Sequence, residues 1–341
     1  MSKFERSVGG RITVSLALVV VLGTFVVAAP VSATSGPVTL VQVESLVAAG
    51  VQIKATPTLS ATVPPLLKIT QADASLSPIR QNCYARSSST VTTVVADAAT
   101  ECAYGDTTKS RVILLTGDSQ AGMWLPAFNQ LGIDLGWKIV FLAHPQCPPW
   151  GVPNKPAWII QGQFNVADCT AYQANIAKWV AINLPAVVVL VGRAHPVGAN
   201  ANAPLVLSEL QPRITATIKS MQHPSTTVIN LTPLPSYTAN WTAYTPATCL
   251  AYIKPITNCE GKPGQMISPV ELLAEQNSAK TDGSVLVNVW HLFCTSSRCA
   301  LFVKDSSTYR LVYSDALHMN SHYSAWIANA FETLIGPSLP K

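Results

Sequence analysis

The sequence predicts an α/β protein: a three-layer α/β/α sandwich with a central parallel sheet of about five strands. Two observations carry this prediction. Five short, continuous apolar runs are typical of strands buried on both faces, and the helical patterns between them favour parallel strands joined by helices. The apolar runs cover residues 112–116, 139–143, 187–191, 226–231 and 285–289. The helical patterns lie near residues 121–132, 171–183, 205–222 and 268–281, and a last amphipathic helix is predicted over 321–335, with Ser321 as its N-cap.

The amino terminus has the three-part layout of a secretory signal. Lys3, Arg6 and Arg11 are followed by an uncharged apolar run over 12–29 and by small residues at 31–33, which predicts a signal peptide over 1–33. The alternative is an uncleaved anchor, because 18 apolar residues are just long enough to cross a bilayer. Either interpretation predicts a secreted or extracytoplasmic protein, whose only membrane contact would be this segment.

Composition separates the remaining chain into two parts. Residues 34–105 are rich in Thr, Ser, Ala and Pro, and we expect an extended N-terminal segment packed on the domain, with a short helix over 38–49. Residues 106–341 carry the alternating strands and helices of the main domain. The net charge is +5, with only 11% charged residues, and the basic residues are not clustered, so no nucleic-acid partner is predicted.

The eight cysteines are an even number in a chain predicted to be exported, which favours disulfides. Sequence alone leaves many connectivities open, and local pairing is our prediction. A zinc site is disfavoured because the cysteines lack paired C-x-x-C spacing and no histidine cluster accompanies them. The predicted pairs are Cys83 with Cys102, Cys147 with Cys169, Cys249 with Cys259, and Cys294 with Cys299.

The candidate nucleophile is Ser119, in the sequence Gly117-Asp118-Ser119-Gln120 directly after the first predicted strand. Ligands of open parallel sheets bind outside the carboxyl ends of the strands. Gly117 permits a tight turn there, and the following helix can direct free N–H groups toward the serine. A serine with nearby backbone donors suits a reaction that develops an oxyanion. The alternative is that Ser119 only caps the helix.

The candidate base and its orienting acid lie in Asp315-Ala316-Leu317-His318, just before the last predicted helix. Histidine can take the serine proton near neutral pH, and an acid three residues earlier can fix its tautomer. The alternative is a capped loop with a surface histidine. Because the serine turn follows the first strand and this motif precedes the last helix, the two together predict a Ser119, His318 and Asp315 triad.

These motifs resemble those of a known family. Residues 112–121 (VILLTGDSQA) look like the first block of the SGNH (GDSL-like) hydrolases, and Asp315 to His318 look like their last block. The likeness is greater to the extracytoplasmic SGNH domains fused to integral-membrane acyltransferases that modify surface polysaccharides. It extends over about 80–335 and includes the sequences CPP at 147–149, VLVGR at 189–193 and the segment 293–299. The resemblance implies an SGNH hydrolase/flavodoxin-like fold, a Ser–His–Asp mechanism through Ser119, His318 and Asp315, and no metal or cofactor.

The sequence departs from the wider family at the oxyanion hole. That family uses a glycine and an asparagine as donors, whereas the third block here reads Gly192-Arg193-Ala194-His195. The candidate donors are therefore Ser119, Gln120, Gly192 and Arg193. For Arg193 an ion pair with Asp118 or Asp315 is an equal alternative.

Four further side chains are candidates for the active face because they follow predicted strands or lie in loops. His144 and His195 could line the pocket, and Trp150 and Trp241 could stack on sugar rings, although core or loop packing is the commoner role of such tryptophans.

The predicted function is that of an extracytoplasmic serine acyl-ester enzyme, an O-acetyl esterase or O-acyltransferase acting on a cell-envelope or secreted carbohydrate. Its expected partners are an acylated glycan or acyl donor and a separate membrane acyltransferase. The alternative, motivated by the missing asparagine, is a catalytically weak or inactive glycan-binding protein with the same fold. Hydrolysis of lipid esters is less favoured, since aromatic content is low and no apolar lid is evident.

Overall fold

The structure, a computed structural model, describes residues 37–57, 62–63, 83–84, 98–151, 166–194, 206–236 and 256–341. The predicted signal segment, His195, Trp241 and Cys249 lie outside these ranges. Among the described residues, no helix combines the length and the apolar character needed to cross a bilayer.

The predicted strands of the main sheet are confirmed, and an additional edge strand extends it. The strands of both sheets in the described residues are β1 (Thr62–Val63), β2 (Ala103–Gly105), β3 (Val112–Gly117), β4 (Lys138–Ala143), β5 (Val187–Val191), β6 (Thr227–Leu231), β7 (Val285–Val287), β8 (Phe302–Asp305) and β9 (Thr308–Leu311). Six of them form the main sheet in the order β2-β4-β3-β5-β6-β7. All are parallel to their neighbours except β2, which pairs antiparallel with β4.

Helices cover both faces of this sheet, which confirms the predicted three-layer α/β/α architecture. The described helices are α1 (Leu40–Gly50), α2 (Ala98–Glu101), α3 (Ser119–Leu135), α4 (Val166–Asn183), α5 (Leu207–Met221), α6 (Pro263–Met266), α7 (Pro269–Asp282), α8 (Ser321–Trp326) and α9 (Ala328–Ile335). In one group, α3 packs against α8 and α9, and α1 packs against α9. In the other group, α5 packs against α4 and α7. Short 3-10 helices span Ile256–Cys259, Trp290–Leu292 and Gly336–Ser338.

The register of the central strands places their carboxyl ends at one edge. Gly117, the last residue of β3, is paired with Ala143 of β4 on one side and Val191 of β5 on the other. The residues that follow each strand therefore meet at the same edge of the sheet, where open parallel sheets bind their ligands.

The carboxyl-terminal helix differs from its prediction in two ways. It is divided at Ile327, whose ψ of 2° departs from the α-helical value, so α8 and α9 replace the single helix predicted over 321–335. Its cap is Asn320 rather than Ser321. Asn320 has extended dihedral angles and its side chain accepts the N–H groups of His322 and Tyr323, whereas Ser321 is already helical.

A second, three-stranded sheet was not predicted. It pairs in the order β1-β9-β8, and α1 packs against β8. The short helix predicted over 38–49 is α1, which Thr39 caps in a reciprocal pair with Gln42 and which buries Val43 and Val47.

Three of the four predicted disulfides are confirmed: Cys83–Cys102, Cys147–Cys169 and Cys294–Cys299. Cys259 is also disulfide-bonded, and its predicted partner Cys249 lies outside the described residues. Cross-links of this kind remove conformational freedom from the unfolded chain and so favour the folded state.

The end of the chain is held at the opposite edge of the sheet. Arg111, just before β3, donates a hydrogen bond through Nη2 to the carbonyl oxygen of Pro340. The same guanidinium lies 3.9 Å from the ring centroid of Trp137, a favourable cation–π arrangement. The carboxyl-terminal residues are therefore fixed beside the amino end of the central strand.

Candidate active site

The site begins at Gly117, a position whose backbone conformation and close neighbours only glycine can accommodate. Gly117 has φ of 147°, and a Cβ atom placed on it would lie 1.6 Å from the carbonyl oxygen of Val191. The next residue, Asp118, donates its N–H to that same oxygen at 3.2 Å. The close approach of β3 and β5 thus turns the chain sharply and starts α3 at the edge of the sheet.

Asp118, and not Ser119, is the N-cap of α3. Its Oδ1 accepts the N–H of Gln120 at 2.8 Å, and Ser119 is the first helical residue. The alternative role of Ser119 as a helix cap is therefore wrong. Ser119 is half-buried, and the N–H groups of a first helical turn have no acceptor within the helix, so the hydroxyl lies beside backbone donors.

The structure brings Ser119, His318 and Asp315 together. The Nε2 of His318 lies 2.8 Å from the Oγ of Ser119, and its Nδ1 lies 2.7 Å from the Oδ2 of Asp315. With the proton on Nδ1, the ring donates to Asp315 and its Nε2 accepts from the serine hydroxyl. This arrangement can remove the serine proton and hold the imidazole in the tautomer that does so.

Asp315 is held by its own loop. Its Oδ1 accepts the N–H groups of Leu317 and His318 at 2.7 and 2.8 Å. Burial acts to raise the pKa of Asp315, but the hydrogen bond and charge of His318, together with these two N–H groups, lower it overall. The carboxyl is therefore ionised across the neutral range and can stabilise a protonated imidazole.

Asp118 occupies one of the predicted oxyanion donors, the N–H of Gln120, and also the backbone N–H of Arg193. Its Oδ2 accepts the N–H of Arg193 at 2.9 Å, while its Oδ1 accepts the N–H of Gln120. Neither backbone group is free for a substrate oxygen in this arrangement. Burial raises the pKa of Asp118 to about 6, although these two N–H groups act to lower it. Gly192 packs against Pro149, whose Cδ would lie 2.4 Å from a Cβ at this position.

The side chain of Arg193 is buried among carboxyl groups. Burial lowers the pKa of Arg193 to about 10, and the charges of Glu271 and Asp118 oppose that shift. Asp118 is one of the two partners expected from the sequence, so the electrostatics favour the interpretation of Arg193 as a charge partner. Glu271 was not expected.

Glu271 is the residue of this site that sequence reasoning missed. It lies in the first turn of α7, where Ser268 is the N-cap, and its Oε1 accepts the N–H of Ala194. Burial raises the pKa of Glu271, while the N–H of Ala194 and the charge of Arg193 act to lower it. The only sequence signal is the Ser-x-x-Glu pattern at 268–271, which indicates a helix start and not a contact with β5.

His144 and Trp150 lie near this edge but are not open to a ligand. His144 is buried, its backbone N–H donates to the carbonyl oxygen of Gly117 at 2.9 Å, and its ring packs edge-on against Tyr172. Burial lowers the pKa of His144, which favours the neutral ring. Trp150 is only 3% exposed, so it packs in the interior and is not available to stack on a sugar ring. His195 and Trp241 lie outside the described residues.

No metal site accompanies the cluster within the ranges that the structure describes, where no three His, Cys, Asp or Glu side chains could hold an ion together.

The mixed sheet between two helix layers, with a serine turn after its central strand, has the architecture of the SGNH hydrolase and acyltransferase domains. The family described as the SGNH domain (fused to AT3 domains) matches residues 82–333. The chain belongs to this family, which confirms the resemblance drawn from its motifs.

Solved structures are also similar to this chain. The lipopolysaccharide acetyltransferase periplasmic domain of Salmonella ser. Paratyphi A matches with a TM-score of 0.56 and 15% identity, covering 83% of this chain and 100% of that chain. A GDSL-like lipase from Bacteroides thetaiotaomicron matches with a TM-score of 0.42 and 12% identity over 74% of this chain and 100% of that chain. An acetyl-xylooligosaccharide esterase from Geobacillus matches with a TM-score of 0.38 and 12% identity, covering 66% of this chain and 94% of that chain. A comparison with curated proteins found no match.

Proposed function

We propose that this protein is an extracytoplasmic serine esterase or O-acyltransferase, which forms an acyl-enzyme at Ser119 and acts on an O-acylated carbohydrate. The observation that carries the proposal is the 2.8 Å contact between His318 Nε2 and Ser119 Oγ, backed by the 2.7 Å contact between His318 Nδ1 and Asp315. A serine in reach of an oriented base is the arrangement that nucleophilic acyl transfer requires.

In the first half of the proposed reaction, the Oγ of Ser119 attacks the ester carbonyl carbon as its proton passes to Nε2 of His318. The carbonyl oxygen takes up the negative charge of the tetrahedral intermediate. That charge faces the first turn of α3, where the N–H of Ser119 has no acceptor within the helix. The bond to the alcohol oxygen then breaks, and His318 returns the proton to the leaving alcohol. Asp315 stabilises the imidazolium throughout.

In the second half, an acceptor hydroxyl gives its proton to His318 and attacks the acyl-serine. Water as acceptor releases the free acid and makes the protein an esterase. A sugar hydroxyl as acceptor makes a new ester and the protein an O-acyltransferase. In both cases Ser119 regains its proton from His318, so the two reactions differ only in the acceptor that reaches the site.

Two observations support the choice of acyl group and compartment. A lipopolysaccharide acetyltransferase domain shares the fold, which makes acetyl the first acyl group to test. The three described disulfides suit an oxidising compartment outside the cytoplasm. As a transferase, the protein would take its acyl group from a soluble donor or from a separate membrane acyltransferase.

The test combines a covalent probe with a transfer assay. A fluorophosphonate should label the intact protein, and peptide mass spectrometry should place the label on Ser119. The protein should release acetate from an aryl acetate, and the Ser119→Ala variant should lose at least a thousandfold in kcat. Candidate sugars added to the same reaction would gain an acetyl group only if the protein is a transferase. Full hydrolysis by Ser119→Ala would contradict the proposal.

One observation favours a second function, that of a weakly active or inactive glycan-binding protein. Asp118 holds the N–H of Gln120, one of the groups expected to stabilise an oxyanion, and the backbone N–H of Arg193 beside it. Failure of the fluorophosphonate to label Ser119, combined with retention on an acetylated glycan column, would support this alternative.

A further inference from the structure

The turn that follows β5 is held by carboxyl groups from two other elements. The N–H of Arg193 donates to Oδ2 of Asp118 at 2.9 Å, and the next N–H along the chain, that of Ala194, donates to Oε1 of Glu271. Asp118 begins α3 and Glu271 lies in the first turn of α7. Two consecutive backbone N–H groups of one turn are therefore held by two carboxyl groups, one from a residue earlier in the chain and one from a residue later in it.

The side chain of Glu271 departs from what its local sequence predicts. In a Ser-x-x-Glu helix start, the glutamate usually reaches back to the N–H of the capping serine. Here Ser268 accepts the N–H of Glu271 at 3.3 Å, but the glutamate carboxyl turns inward to Ala194. The residue is 1% exposed. A carboxylate buried this deeply destabilises the fold unless it is hydrogen-bonded and paired, and Ala194 and Arg193 supply those interactions.

The charge of Arg193 links the two carboxyl groups. The guanidinium is buried, and the charges of both Glu271 and Asp118 act on it. Asp118 also accepts the N–H of Gln120, the residue directly after the candidate nucleophile. A continuous set of contacts therefore runs from Glu271 through the 192–194 turn and Asp118 to the start of α3.

We infer that Glu271 is a positioning residue for the reaction at Ser119. It accepts the hydrogen bond from the N–H of Ala194 and compensates the positive charge of Arg193, and in this way it fixes the 192–194 turn. That turn and Asp118 together fix how the start of α3 presents Ser119 to His318. The inference rests on the proposed function, because its catalytic consequence requires Ser119 to be the nucleophile.

The chain offers a matched pair of variants. Glu275 lies one turn further along α7, and its burial and the nearby charge of Glu271 raise its pKa well above the ordinary value. Burial favours the neutral form of Glu275, and glutamine has nearly the same size and shape, so Glu275→Gln should keep kcat and KM within about twofold of wild type. Glu271→Gln keeps an oxygen that can accept the N–H of Ala194 but removes the negative charge that compensates the guanidinium of Arg193.

We expect Glu271→Gln to lower kcat for an aryl acetate by about tenfold, because a charged acceptor binds roughly twice as strongly as a neutral one. KM should stay within about twofold, since Glu271 is almost fully buried. The pH–rate profile supplies a readout that a purely structural role would not move. Glu271 faces Arg193, Asp118 and Glu275, and its protonation should steepen the acid limb in the wild type. The limb should be shallower in Glu271→Gln, which cannot titrate there.

Amide hydrogen exchange measured by NMR tests the turn without turnover. The N–H of Ala194 should exchange at least about tenfold faster in Glu271→Gln and at the wild-type rate in Glu275→Gln. The inference is overturned if Glu271→Gln keeps the wild-type kcat and acid limb, or if exchange at Ala194 does not change. A wild-type protein that neither hydrolyses the ester nor labels with the fluorophosphonate would instead contradict the proposed function. The exchange rates would then still decide whether Glu271 holds the turn.

Discussion

The Nε2 of His318 lies 2.8 Å from the Oγ of Ser119, although 199 residues separate them along the chain. Packing between the carboxyl-terminal helices and α3 brings them together. The ring of Phe331 in α9 lies 4.6 Å from that of Trp124 and 5.0 Å from that of Phe128, both in α3. These aromatic contacts fix the helix that begins at Ser119 against the segment that carries His318.

Replacing Asp315 by asparagine should remove catalysis while leaving the fold intact. The amide would favour the wrong tautomer of His318, and we expect kcat for an aryl acetate to fall by about ten-thousandfold. The asparagine Oδ1 can still accept the N–H groups of Leu317 and His318, so the free energy of unfolding should change by no more than about 1 kcal/mol. Kinetics and urea unfolding of the same preparation check both statements. A variant with more than a tenth of the wild-type kcat would contradict the orienting role of Asp315.

Replacing Arg193 by methionine distinguishes the two interpretations of that residue. As the charge partner of two buried carboxyl groups, its loss should lower the free energy of unfolding by about 3–5 kcal/mol. Arg213→Met, on the partly exposed surface of α5, serves as the control and should change it by no more than about 0.5 kcal/mol. An Arg193→Met protein of wild-type stability with a kcat lower by about a hundredfold would instead favour a role in the oxyanion hole.

Asp118 should make the protein more stable as the pH falls toward 4. Its pKa in the folded state is about 6, above the ordinary value of 3.8, so the folded protein binds this proton before the unfolded chain does. The contribution of Asp118 to the free energy of unfolding therefore grows between about pH 6 and pH 4, by on the order of 3 kcal/mol, and is lost as the pH rises through 6.

Urea unfolding of the wild type and of Asp118→Asn checks this sign. Asparagine also caps helices well but cannot titrate. The stability of the wild type relative to the variant should rise when the pH is lowered from 7 to about 4.5. A difference that stays constant, or that shrinks, would contradict the raised pKa of Asp118.

Gly117 should tolerate no side chain. A Cβ there would lie 1.6 Å from the carbonyl oxygen of Val191, and we expect Gly117→Ala to cost more than about 4 kcal/mol of stability or to prevent folding. Gly264→Ala is the matched control, because no heavy atom lies within 4 Å of a Cβ at that position. It should stabilise the protein by about 0.4–1 kcal/mol. Thermal denaturation and the yield of folded protein measure both effects, and a folded Gly117→Ala protein of wild-type stability would refute the close approach of β3 and β5.

The strands of the large sheet could be predicted because each is a continuous apolar run between helical patterns. β2 could not, since Ala103–Gly105 is three residues long and too short for any periodic signal. The break at Ile327 was equally hidden, because the apolar residues on either side of it fit one helical face and no proline or glycine marks it.

The three residues brought together at the site could be predicted because each lies in a short motif whose chemistry is readable: a serine in a tight turn, and an acid three residues before a histidine. Glu271 could not, because its partner Ala194 lies 77 residues earlier in the chain and only the sheet order brings α7 near the end of β5. For the same reason, the hydrogen bond from the N–H of Arg193 to Asp118 could not be inferred from the Gly-Asp-Ser sequence, because the two residues lie 75 positions apart in the chain.

The hydrogen bond from Arg111 to the carbonyl oxygen of Pro340 has a practical consequence for handling the protein. Arg111 precedes β3 and Ser119 follows it, and the six residues of β3 span about 20 Å at the usual rise of a strand. An affinity tag, a resin or a biosensor surface attached through Lys341 would therefore be joined on the far side of the sheet from Ser119. Protein immobilised in this way should present Ser119, the candidate nucleophile, to the solution, so large polysaccharides could be screened as flowing ligands.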